Sequence, residues 1–199
     1  MAKLLIDGIF FQINNTGIAR VWDSIIPYLV KKKDLDIFVL DRGGMPHYVG
    51  VTHIPFPTYN LNQFTASDSV LIEKISDQYK IDVFTSTYYT SPLSTPMVLM
   101  VYDMIPELFA FNMSERPWME KTVAISFAQR YVCISESTRR DLLSIFPEIS
   151  PQHAVVGLCG IDRDVFFPAS DEEVTAFKKK FSLDRPYYLF VGSRVQHTG

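Results

Sequence analysis

Asp103 stands in "VYDMIPELF", where an apolar run gives way to a turn. A lone carboxylate buried there would be costly. At the mouth of a strand it can accept a proton from a substrate hydroxyl or hold a neighbouring donor. It serves equally as a turn or capping residue before Pro106. Glu107, past that proline, is expected in solvent, with approach to the same cleft as the alternative. Gly17, in "NNTGIAR", lets the backbone pass close to a ligand at a helix N-terminus, where negative charge is favoured. It reads equally as a plain turn glycine. Arg20, one turn on, suits a phosphate, a carboxylate or a surface partner. Ser135, in "CISESTRRD", is foremost a helix N-cap. Arg139 and Arg140 point roughly 100° apart on the following helix, so at most one of them faces a cleft. Tyr88 and Tyr89, in "TSTYYTSP", offer ring faces on which a pyranose packs, although packing within the loop is the plainer account.

Other chemistries lack their residues. The glycine loop is neither GxGxxG nor GxxxxGK[ST], and Ser135 is not in GxSxG, so a dinucleotide enzyme, a P-loop nucleotidase and a hydrolase elbow are unsupported. His47, His53, His153 and His197 are scattered without ligand spacing, and Cys133 and Cys159 lack CxxC, so no metal is expected. A formal charge of −3 over 199 residues gives no global attraction to nucleic acid. The N-terminus has no apolar segment long enough for a signal peptide or a membrane span, and two free thiols suit a cytoplasmic protein. Lys31, Lys32 and Lys33 read as a solvated helix end that leaves room for peripheral contact with anionic lipid at the inner membrane face.

Apolar runs alternate with helical spacing along the chain. "KLLIDG", "LDIFVLDR", "YVGVTHIPF", "IDVFTS", "PMVLMVYDM", "YVCIS" and "HAVVGLC" read as strands, the fifth apolar on both faces and therefore central and parallel. Helices are expected over "TGIARVWDSIIPYLVKK", bent at Pro27, over "SVLIEKISDQYK", over "SERPWMEKTVAISFAQR" capped by Ser114, over "ESTRRDLLSIF" and over "SDEEVTAFKKKFSL". The pattern predicts an α/β fold, a doubly wound Rossmann-like and mostly parallel sheet, with function at the strand C-termini.

The order of these segments resembles a known family. The glycine loop after the first strand, "YDMIPELF", "CISESTRRDL", "GIDRDVFFP" and "YYLFVGSR" together are similar to the N-terminal half of family 4 retaining glycosyltransferases. The resemblance covers nearly the whole chain and implies one half of a GT-B fold, two Rossmann-like domains facing across a cleft. It implies transfer of a hexose from a nucleoside-diphosphate sugar to a hydroxyl acceptor, a sugar or lipid-linked sugar, in cell-surface polysaccharide or glycolipid synthesis, with no separate cofactor. Tyr102 and Asp103 match a position that is often His-Asp in the family. Tyrosine still donates a hydrogen bond but takes no proton near neutral pH. Gly17 would lie beside the donor diphosphate, and Arg194 matches the start of a phosphate-binding Arg…Lys pair.

On that resemblance, residues 1–185 form the acceptor-side domain and residues 186–199 the first strand of a donor domain otherwise absent, in a truncated, split or excised chain that is inactive alone. The alternative is a non-catalytic module that holds an acceptor or partner and needs a separate donor-domain polypeptide.

Overall fold

A computed structural model describes residues 1–14, 16–60 and 67–191. The elements follow one another as β1 (Ala2–Asp7), α1 (Ile9–Ile13), α2 (Gly17–Val30), β2 (Leu35–Asp41), β3 (Val51–Pro55), α3 (Ser67–Tyr79), β4 (Val83–Ser86), β5 (Val98–Val101), α4 (Ile105–Leu108), α5 (Arg116–Phe127), β6 (Arg130–Cys133), α6 (Glu136–Ile145), β7 (Ala154–Val156) and α7 (Asp171–Lys180). Every strand pair is parallel, in the orders β3-β2-β1-β4 and β5-β6-β7. A parallel bridge between Phe84 and Met97 joins the two runs, with the Phe84 N–H donating to the Pro96 carbonyl at 2.7 Å. This is the doubly wound sheet expected from the alternation. Strand order reverses beside β1, and ligands bind outside the strand C-termini at such a point.

Period-two alternation builds a core on each face. Leu5 and Leu40 point into one cluster with Phe84, Leu99, Ile72 and Ala124, whereas their neighbours Ile6 and Val39 point into another with Trp22 and Ile26. The chain divides into two compact units, Met1–Cys159 and Gly160–Gly199. In the second unit, Ser170 and Glu173 form a capping box on α7, which has acids in its first turn and lysines in its last.

Local details differ from expectation for identifiable reasons. Ser114 does not cap α5. Its hydroxyl and N–H both donate to the Asn112 side chain, at 2.6 and 3.2 Å, and Glu115 takes the N-cap position. Residues 186–191 make no strand ladder among the described residues, and the remainder of that expected strand, with Arg194, lies outside them.

The long β4–β5 connection is tied to α3 by one carboxylate. Glu73 accepts from the Leu93, Ser94 and Thr95 N–H groups at 2.8, 2.9 and 3.2 Å and from the Ser94 and Thr95 hydroxyls at 2.5 and 3.1 Å. Burial pushes its carboxyl up, but the bonds from Ser94, Thr95 and Leu93 outweigh that and bring it down to about 2. A depressed carboxyl stabilises the fold above its unfolded value and loses that contribution as pH falls through its folded value. The urea midpoint of wild type should therefore exceed that of Glu73→Gln by a constant margin near neutrality, and the margin should shrink between 4.5 and about 2. A margin independent of pH would refute this.

Candidate functional site

Beneath the mouth of the sheet lies a buried polar network that the sequence reading did not single out. Asp7, the last residue of β1, meets Arg42, which follows β2, through two bonds of 2.8 Å, and both side chains are fully buried. Thr90 donates to the same carboxylate at 2.6 Å. Burial works against the Arg42 charge, but Asp7 and then Asp68 more than offset it and hold the guanidinium above its ordinary value. Arg42 continues to Asp68 at 3.2 Å, Asp68 to Arg116 at 3.2 Å, and Arg116 to Glu120 at 2.8 Å. The Tyr59 hydroxyl donates to Glu120, and the Arg116 guanidinium lies 3.9 Å from the centre of the Tyr59 ring. Burial raises the Glu120 carboxyl despite these donors.

The network is connected to the loops above it. The Thr87 N–H and hydroxyl both donate to the Asp7 carbonyl, at 2.9 and 2.8 Å, and the same hydroxyl accepts the Phe10 N–H at 2.9 Å. The connections after β1 and β4 are thereby fixed at the switch point. The sequence did contain a signal: Asp7 ends an apolar strand just as Asp103 follows one.

Tyr102 and Asp103 follow β5 and face different surroundings. Tyr102 is buried; its hydroxyl accepts the Trp22 indole N–H at 2.6 Å and donates to the Thr87 carbonyl at 3.3 Å. Burial pushes that hydroxyl further above its ordinary value. Tyr102 thus braces α2, which carries Gly17 at its start, against the β4–β5 connection. Asp103 opens outward, with 43% of its side chain exposed. Its Oδ1 accepts the Ile105 N–H at 3.0 Å, while Oδ2 takes no hydrogen bond among the described residues. That oxygen is available to a hydroxyl.

Tyr88 lies within electrostatic reach of both Asp103 and Glu120. Its half-buried ring rests on Phe10 and Tyr89, with centroids 5.2 and 4.1 Å apart. Burial first, then the charges of Asp103 and Glu120, push its hydroxyl up to about 12, so it remains a neutral donor. Gly17 is the exposed first residue of α2, with nothing within 4 Å of the place a Cβ would occupy. Its N-cap, Thr16, makes no side-chain bond to the helix. Among the described residues no neighbour requires glycine here.

The remaining candidates have structural partners. Ser135 caps α6, accepting the Thr138 N–H at 3.0 Å, as expected. Arg139 clamps the Ala154 and Pro151 carbonyls at 2.8 and 2.9 Å, and Arg140 donates to Ser137 at 3.0 Å. Arg20 is exposed. Glu107 is not in solvent: only 8% of its side chain is exposed, and it pairs with the fully buried Lys121 at 2.8 Å. His47 and His53 stack at 4.8 Å, and no group of three or more metal-ligating side chains exists among the described residues.

The family model of Glycosyltransferase Family 4 matches residues 15–165, and the chain belongs to that family. It is 25% identical over 133 residues to Alpha-maltose-1-phosphate synthase of Mycobacterium tuberculosis, covering 59% of this chain and 34% of that protein. It is 34% identical over 85 residues to the protein of the same name from Mycolicibacterium smegmatis, covering 41% and 21%. The matches thus span about a third or less of the length of these relatives. Among solved structures, HepE of Anabaena in complex with UDP-glucose superposes with a TM-score of 0.54 at 14% identity, over 92% of this chain and 50% of that one. MnaA of S. aureus with UDP gives 0.54 at 11% identity, over 78% and 44%. These two likenesses concern the fold, one half of a GT-B architecture. No helix among the described residues is long and apolar enough to cross a membrane.

Proposed function

We propose that this chain is the acceptor side of a retaining glycosyltransferase. The whole protein takes a hexose from a nucleoside-diphosphate sugar and passes it to a hydroxyl of a sugar or lipid-linked sugar, in the cytoplasm or at the inner membrane face. The observation that carries the reading is Asp103: a half-exposed carboxylate with one unengaged oxygen, at the C-terminal edge of the sheet of a Family 4 member. The acceptor hydroxyl docks on that oxygen. Tyr88 supplies a ring face and a neutral hydroxyl beside it. The UDP-glucose and UDP held by the fold neighbours support a nucleoside-diphosphate sugar as donor.

Transfer requires stabilisation of the charge that grows on the leaving diphosphate. On this reading the N-terminus of α2 contributes part of that at Gly17, through backbone N–H groups and the helix dipole. Most of it comes from a donor-binding lobe, corresponding to the half of HepE that this chain does not cover.

Gly17→Val in the full-length protein tests the placement. The position is open, so the melting temperature should stay within a few degrees. A branched side chain at the helix N-terminus should raise the donor KM and lower transfer at least about tenfold, the equivalent of 1.4 kcal/mol. Unchanged transfer by a folded Gly17→Val protein would remove the donor from this end of α2.

A further inference from the structure

We infer that Lys121 is the positioning residue for the acceptor site, holding Asp103 through its main chain and Tyr88 through Tyr89. This rests on the reading of Asp103 given above. Lys121 lies on α5, and none of its side chain is exposed. Burying an ammonium is costly, and a buried ion pair is a weak source of stability compared with apolar packing. The contacts of this ammonium run instead toward the site. Its Nζ donates to the Asp103 carbonyl at 2.9 Å and to Glu107 Oε2 at 2.8 Å, and lies 3.8 Å from Asp103 Oδ1. It also stands 5.6 Å from the centre of the Tyr89 ring, on which Tyr88 rests.

Tyr102 and Met104, on either side of Asp103, are buried in the core, whereas the Asp103 peptide between them is held by Lys121. Residues 102–104 belong to no strand or helix, and α4 beyond them is a single turn of four residues. Asp103 Oδ1 is held by the Ile105 N–H, so the direction of the free Oδ2 follows the backbone that Lys121 grips. Glu107 Oε1 is buried without a partner among the described residues, so the pair is not arranged for complete hydrogen bonding. Its one fully used carboxylate oxygen serves to hold the ammonium under the loop. Removal of the ammonium should free the Asp103 peptide and the turn into α4 without dismantling the sheet, because backbone outside regular structure opens locally while Tyr102 and Met104 stay in the core.

The test uses amide exchange and three-bond couplings measured by NMR on the chain. In wild type the Ile105 amide should be protected and the Asp103 χ1 angle should occupy one rotamer. Lys121→Met, of similar length and without charge, should accelerate exchange at Ile105 by at least about tenfold and average the Asp103 rotamer, with Leu5 and Phe84 amides unchanged. Lys121→Arg should restore part of both. Should the orphaned Glu107 carboxylate lower global stability in Lys121→Met, Lys121→Met/Glu107→Gln removes that charge and carries the same expectation. An unchanged Ile105 rate and a single Asp103 rotamer in these variants, or equal acceleration throughout the core, would overturn the assignment. Failure of the chemical role of Asp103 would show separately, as unimpaired transfer by Asp103→Asn.

Discussion

Arg42→Met should lower the unfolding free energy of this chain by about 3–5 kcal/mol, the usual cost of leaving one member of a buried ion pair uncompensated. The Asp7 carboxylate would remain fully buried, with Thr90 as its only other side-chain donor among the described residues. A domain of this size has roughly 5–15 kcal/mol in total, so the variant should lose a large share of its urea resistance. Asp7→Leu/Arg42→Met removes both charges and fills the space with apolar atoms. It should be more stable than Arg42→Met alone, because the penalty belongs to the unpaired charge. The effect should reach the mouth of the sheet, since the Asp7 carbonyl accepts both bonds from Thr87 and Thr87 in turn holds Phe10. Urea unfolding of the two variants checks the claim. A loss below about 1 kcal/mol in Arg42→Met would show that water or neighbouring groups replace the guanidinium.

Asp103→Asn should leave stability unchanged and reduce transfer by the full-length protein about ten- to a hundredfold. A hydrogen bond to a charged group contributes about 1.5–3 kcal/mol, and each 1.36 kcal/mol is tenfold in rate. The amide is isosteric, and its oxygen can still accept the Ile105 N–H, so the loop keeps its cap. The unengaged oxygen is what changes: an amide binds an acceptor hydroxyl more weakly and takes no proton from it. The loss should fall on kcat and on the acceptor KM, with the donor KM little affected. Steady-state kinetics with each substrate varied in turn resolves these. A donor KM that rises with the acceptor KM unchanged would place Asp103 on the wrong substrate.

The sheet was legible because its signals are local. Leu5 and Ile6 alternate between faces, Ser135 stands at a strand-to-helix junction, and Asp103 marks the end of an apolar run. The groups that hold the site together are set by topology. Asp7 and Arg42 are 35 residues apart and meet only because β1 and β2 lie side by side in parallel. Lys121, in the middle of "MEKTVAIS", has the sequence context of a solvated helix face. Its burial is decided by Asp103 and by Glu107 of the four-residue α4, 18 and 14 residues earlier, on a segment whose path no periodicity encodes. α1 and α4 are five and four residues long, too short for a helical repeat to register. Ser114 failed as a cap because an asparagine two residues before it captured the hydroxyl.

Calorimetry of the chain with UDP-glucose puts the division of labour most directly at risk. If the acceptor side lies here and the diphosphate is gripped chiefly by a second lobe, the titration should show no saturable heat below millimolar concentrations. A one-to-one isotherm with a Kd in the low micromolar range would contradict the account and move the donor site onto these residues.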